Sequence, residues 1–238
     1  MDGSTLKILS SFALGFAPGV FWLWYVVRKD KLEPEPAKYV IGMYFWGMLS
    51  TIPAVLLEWP FAKLLPEFAV AVLVAPIVEE LLKFLTLILA FKLFSGLRKE
   101  FDEPMDGIVY ASAVALGFAS LENASYLVQA MTRENLTVVF ILRAVLSVPG
   151  HVLFSSIWGY ALGMHKFRNR LPTKIRLTPL RGLLLAMLFH MVFNAGAQLN
   201  VVLMLIVAGG AVWGFWKLFF CNVAQALASS PHRDREED

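Results

Sequence analysis

Apolar residues in this chain neither alternate nor form a narrow stripe; they come in long runs. Stretches of 18 or more mostly apolar residues recur from end to end, each long enough to cross the hydrocarbon core of a bilayer. The pattern predicts seven helices, at roughly 6–27, 39–58, 67–92, 106–130, 136–164, 180–197 and 200–220. The first is too long and too aromatic for a signal peptide, lacks a small-residue cleavage site, and has its basic residues on the far side. It reads as a retained helix. The expected fold is all-α, a polytopic integral membrane helical bundle forming a single transmembrane domain over 1–228. A polar tail at 229–238 is expected to be disordered.

Charge placement adds an orientation. Arg28, Lys29, Lys31 and Lys38 lie between the first two helices, and Lys92, Arg98 and Lys99 between the third and fourth. Lys166, Arg168, Arg170, Lys174, Arg176 and Arg181 follow the fifth, and Lys217, Arg233 and Arg235 stand near or in the tail. Only Lys7, Lys63 and Arg133 fall on the other side, a split of sixteen against three. Basic loops stay on the cytoplasmic side, so the N-terminus is expected outside and the tail inside, in a multi-pass protein of the cell membrane.

Composition supports the same class. Hydrophobic residues make up 58% and charged residues 16%, against about 45–50% and about 25% in soluble domains. The single Cys221 excludes an intramolecular disulfide and a cysteine-ligated zinc site. No loop is long enough for a soluble domain; the longest, His165–Pro179, reads as a positive-inside anchor. Nothing in the chain points to nucleic acid, and the partner implied throughout is the lipid bilayer. The GxxxG spacings Gly15/Gly19, Gly159/Gly163 and Gly210/Gly214 are read as close helix packing within the chain.

Against this background several polar residues are out of place. The third helix carries Glu79, Glu80 and Lys83; the fourth, Glu122 and Asn123; the fifth, Arg143 and His151; the sixth, His190 and Asn194. An ionised side chain at mid-bilayer costs about 2.5–3.5 kcal/mol on insertion scales. Summed, these groups reach roughly 10 kcal/mol if they faced lipid, comparable to the whole stability of a typical fold. They must therefore face inward and satisfy one another. At a rise of 1.5 Å per residue, Glu79 lies about 18 Å from the outer start of its helix and Glu122 about 13 Å from its outer end. His151 comes about 22 Å in from the outer face and His190 about 15–18 Å from the inner one. Lys83 is one turn from both Glu79 and Glu80, and Asn194 one turn from His190. Pro149 and Gly150 are expected to loosen the fifth helix just before His151.

Some of these residues have a structural explanation. Lys83 and Arg143 read as counter-ions for the glutamates. Asp106, at the start of the fourth helix, reads as a helix cap. Glu58 is assigned to the outer interface, and His165 and His232 are assigned nothing. Two histidines and three glutamates on four helices still ask for a chemical role. Adjacent glutamates with a lysine one turn on cannot titrate independently; the expected outcome is one ionised carboxylate and one free to take a proton from water. His190 and Asn194 can donate to a developing oxyanion, which together amounts to acyl hydrolysis by activated water. A second possibility takes His151, His190 and Glu79 as a two-histidine, one-carboxylate zinc site. No cofactor is favoured on the residues alone, with zinc the one possibility. HExxH, GxGD and GxSxG are all absent.

The series EELLK at 79–83, GFASLEN at 117–123, RAVLSVPGHVLFSS at 143–156 and HMVFN at 190–194 resembles the PrsW family. Those are intramembrane proteases related to the CAAX prenyl proteases and the APH-1 scaffold, and the motif-bearing region spans about 76–194. The resemblance implies a protease that cuts membrane-anchored protein substrates, such as anti-sigma factors, near the outer face. It implies catalytic roles for Glu79, Glu80, Glu122, His151, His190 and Asn194; Lys83, Asn123, Arg143 and Asp106 are read as structural residues supporting them. It leaves open which of Glu79 and Glu80 is the base and whether a metal is bound. Two readings stand as alternatives: a non-catalytic scaffold of the APH-1 kind, and a proton-coupled transporter, although no pair of broken helices recurs in two repeats.

Overall fold

Helix α7 (Pro104–Thr132) carries mostly apolar or small residues, and the chain wraps it. A computed structural model describes residues 3–132, 135–168, 177–198 and 201–233. In it, 94% of the most hydrophobic window of α7 is buried, against 28–39% for the other four candidate spans. Around α7 pack α1 (Gly3–Val27), α2 (Ala37–Leu49) and α9 (Val148–Lys166). Small residues allow the approach: a Cβ on Gly15 would stand 2.6 Å from Ala124 Cα, and side chains at Gly19, Gly159 or Gly163 would overlap α7 atoms.

α2 continues into α3 (Thr51–Leu64) through Ser50, whose hydroxyl donates back to the Gly47 carbonyl at 2.6 Å. The single turn α4 (Glu67–Ala69) passes through a widened π turn, Val70–Val74, into α5 (Ala75–Leu93). After the short α6 (Ser95–Glu100) and α7, α8 (Leu136–Leu142) passes through a second π turn, Arg143–Ser147, into α9. α10 (Pro179–Ala197) and α11 (Val201–Ala228) complete the bundle. Among the described residues there is no strand.

Among the described residues, five stretches are long and apolar enough to cross a membrane: Leu9–Val27, Ala37–Leu64, Pro104–Met131, Leu136–Lys166 and Pro179–Ala197. The two other predicted spans are also helical, α4–α5 across the charged EELLK run and α11 eight residues past its predicted end. Large apolar side chains such as Leu56 (67% exposed) and Leu64 (80% exposed) point outward, as a lipid-facing surface requires. The chain is an all-α, multi-pass membrane bundle.

Three expectations need correction. A Cβ at Gly210 or Gly214 would meet nothing within 4 Å among the described residues, so this third GxxxG pair marks no packing among them. The start of the tail is ordered: Ser230 and His232 are buried, and His232 Nε2 lies 2.9 Å from Asp102 Oδ1, a partner that local sequence gives no hint of. Asp106 does cap α7, its Oδ2 accepting from the backbone N–H groups of Asp102 and Glu103 at 2.7 Å each. It stands sixteen residues, or about 24 Å, from Glu122 along the same helix and supports nothing there. Most of the basic loop (169–176), together with Arg133 and Arg235, lies outside the described residues.

Candidate active site

Two helices carry the central residues, and both are built the same way. In α5 and in α9 a proline, Pro76 or Pro149, occupies the second position, directly after a π turn. Proline has no N–H and collides with the carbonyl four residues back, and a widened turn relieves the collision. The widening leaves a particular carbonyl unpaired. In the first turn, the N–H of Ala75 bonds Val70, so Ala71 loses its usual donor, and the next candidate is Pro76, which has none. Asn194 Nδ2 donates to the Ala71 carbonyl instead, at 2.9 Å. In the second turn, the N–H of Val148 bonds Arg143 and leaves Ala144 facing Pro149. Trp22 Nε1 donates to that carbonyl at 3.1 Å. The loosening expected at Pro149-Gly150 thus sits one turn earlier, at Arg143–Ser147.

Glu79, Glu80 and Lys83 on α5 then meet His151 on α9, all buried. Lys83 Nζ lies 2.9 Å from Glu80 Oε1, 3.3 Å from Glu79 Oε2 and 2.9 Å from His151 Nδ1, and 4.4 Å above the Phe118 ring. An ammonium can only donate, so His151 Nδ1 accepts and its proton sits on Nε2, 3.2 Å from Glu122 Oε2. Arg143 holds Glu122 at 2.6 Å and donates from Nε to Asn123 Oδ1 at 2.9 Å. Asn123 in turn donates to the Gly15 carbonyl at 2.9 Å, tying the cluster to α1. His190 on α10 stacks on Phe154, with ring centroids 4.8 Å apart. Its Nδ1 comes within 3.3 Å of Glu80 Oε1 but makes no hydrogen bond there.

The two glutamates separate by surroundings. Glu80 is fully buried and accepts, besides Lys83, from Ser155 Oγ at 2.8 Å and Trp158 Nε1 at 3.1 Å. Glu79 lines two cavities. One, of about 250 Å³, is bounded by α5, α9 and α10 and includes His151, His190 and Asn194 in its wall. The other, of about 520 Å³, lies between α3 and α7 and is lined by Ile52, Val55, Leu121 and Ser125. Glu79, Glu122 and Tyr126 form the wall that both share.

Glu58, assigned to the interface, lines the second cavity. Ser155 and Trp158 escaped the sequence analysis, although they follow His151 at four and seven residues and so share its helix face. Phe118 and Tyr126, whose ring lies 4.0 Å from the Arg143 guanidinium, carried no comparable signal.

The predicted metal donors converge. One ligand atom each from Glu79, His151 and His190 lies within 4.8 Å of the others, all three residues are buried, and His190 Nδ1 has no hydrogen bond. Two imidazoles and a carboxylate are the donor set of catalytic zinc, so the residues fit such an ion.

Comparison with known proteins gives the family. The sequence profile described as PrsW family intramembrane metalloprotease matches residues 35–222. Protease PrsW of Geobacillus kaustophilus is 38% identical over 163 residues, 67% of this chain and 68% of the relative. The proteins of the same name from Oceanobacillus iheyensis and Clostridioides difficile are 34% identical over 190 residues and 33% over 196. These alignments cover 79% and 78% of this chain, and 82% and 78% of the relatives. No solved structure matches. A reading that favours no cofactor therefore meets a family described as metalloproteases and a donor set that suits zinc. With the profile spanning most of the chain, this protein belongs to the PrsW family of intramembrane proteases.

Proposed function

We propose that this chain hydrolyses peptide bonds of membrane-anchored proteins of the anti-sigma-factor kind, with Glu79 as the base. The observation that carries the reading is the position of Glu79 on the wall between the two cavities, while Glu80 is enclosed by Lys83, Ser155 and Trp158. The α3–α7 cavity admits the substrate segment from the lipid side, and the smaller cavity holds water. Glu79 takes a proton from that water as its oxygen bonds the scissile carbonyl carbon. The second N–H of the Asn194 amide and His190 stabilise the resulting oxyanion. The C–N bond then breaks, and the proton held by Glu79 passes to the departing amine. Glu122, fixed by Arg143, orients His151 through its Nε2 proton. Were a zinc ion held by Glu79, His151 and His190, it would supply Lewis acidity at the same place, with Glu79 then a ligand in place of the free base. The basic loops support an outside N-terminus in the cell membrane.

Glu79→Gln, reconstituted with a single-span substrate, is expected to lose cleavage while the variant still folds and unfolds cooperatively. Retained cleavage in that variant would sink the assignment.

A further inference from the structure

Far from this site, four acidic side chains converge at the opposite end of α7. Asp30 and Glu35 come from the α1–α2 loop, Glu103 precedes α7 and Asp106 lies in its first turn. Their exposures are 4%, 5%, 0% and 0%. Both oxygens of Asp30, both of Glu103, Oε1 of Glu35 and Oδ1 of Asp106 are buried with no hydrogen-bond partner. The donors that do arrive are neutral: Tyr110 OH to Glu35, and the two backbone N–H groups to Asp106. Nearby cations are engaged elsewhere. Lys166 donates to the Phe101 carbonyl and lies over the Phe101 ring, and His232 pairs with Asp102. No ion pair among the described residues includes any of the four carboxylates.

We propose that Asp30, Glu103 and Asp106, with Glu35 beside them, bind a hard divalent cation that clamps the α1–α2 loop to the start of α7. Buried carboxylates without a counter-charge are strongly unfavourable and either take up protons or hold a cation. One oxygen each from Asp30, Glu103 and Asp106 lies within 4.8 Å of the others. Three such atoms always share a point within about 2.8 Å of each (4.8 Å divided by √3), close to the 2.3–2.6 Å of calcium–oxygen bonds. The 2.0–2.1 Å of magnesium needs the carboxylates to draw inward. The donors are all oxygen, with no imidazole or thiolate among them, which selects calcium or magnesium over zinc. Burial pushes Asp30 up to about 9 and Glu35 up to about 8, so protonation is the competing outcome.

The test uses the full chain in detergent, stripped with chelator and titrated at pH 8 with calcium or magnesium chloride at constant ionic strength. Saturable binding of one ion and a rise in melting temperature are expected. Both should persist in Glu79→Gln, which separates this site from the catalytic cluster. Asp30→Asn should bind at least about tenfold more weakly, because ligand charge sets affinity. Asp30→Asn/Glu103→Gln should lose the response and melt higher than wild type in chelator. If wild type binds neither ion, or melts at one temperature with and without them, the carboxyls hold protons and the proposal is overturned. Undiminished binding in the double variant overturns the location. Should the double variant fail to fold, the wild-type titration and Asp30→Asn decide.

Discussion

Asn194 on α10 donates its side-chain N–H to the backbone carbonyl of Ala71, the one that Pro76 leaves without a partner inside its own helix. The bond ties α10, which carries His190, to the turn that presents Glu79. Asn194→Ala should therefore destabilise the protein by about 1 kcal/mol, the net worth of one hydrogen bond between part-buried groups. In a Pro76→Ala background residue 76 supplies an N–H, and the loss should shrink by at least about 0.5 kcal/mol in a double-mutant cycle. Equal losses in both backgrounds, measured by thermal unfolding, would refute this role.

Lys83 is the shared counter-ion of two buried glutamates. Lys83→Met leaves both carboxylates uncompensated and should cost about 3–5 kcal/mol. Adding Glu80→Gln removes one of those charges and should recover part of the loss. A double variant no more stable than Lys83→Met would contradict a counter-ion role.

The convergence of Glu79, His151 and His190 leads to an expectation for metal content. Protein purified without chelator should carry about one equivalent of zinc. Chelator should remove it and lower the melting temperature, and His190→Ala should reduce the zinc content by elemental analysis. Zinc at background level in the wild type would leave the three residues as a metal-free set.

Ser125 is exposed on the wall of the α3–α7 cavity. Ser125→Trp should slow cleavage of a full-span substrate and leave stability within about 0.5 kcal/mol, as for other surface changes. A short soluble peptide that reaches the smaller cavity should be cut at the wild-type rate. Equal slowing of both substrates would argue against entry between α3 and α7.

Much of this protein is legible without coordinates. Runs of apolar residues demand helices, and the cost of charge in hydrocarbon demands that Glu79, Glu80, Lys83, Glu122, His151 and His190 face inward. Their helical ranges and their gathering into one cluster follow from one-dimensional spacing and transfer energetics. Four motifs in order were enough for the family resemblance. Spacing along one helix, however, cannot separate Glu79 from Glu80, because neighbours on a helix differ by only about 100° in direction. The distinction comes from α9, whose Ser155 and Trp158 enclose Glu80 and leave Glu79 on the cavity wall. The same holds for Glu58, for the carbonyl of Ala71, and for the acidic corner of Asp30, Glu103 and Asp106. Each is defined by contacts between segments far apart in the chain. Local sequence determines which residues cannot face lipid, and tertiary packing decides which partner each one meets.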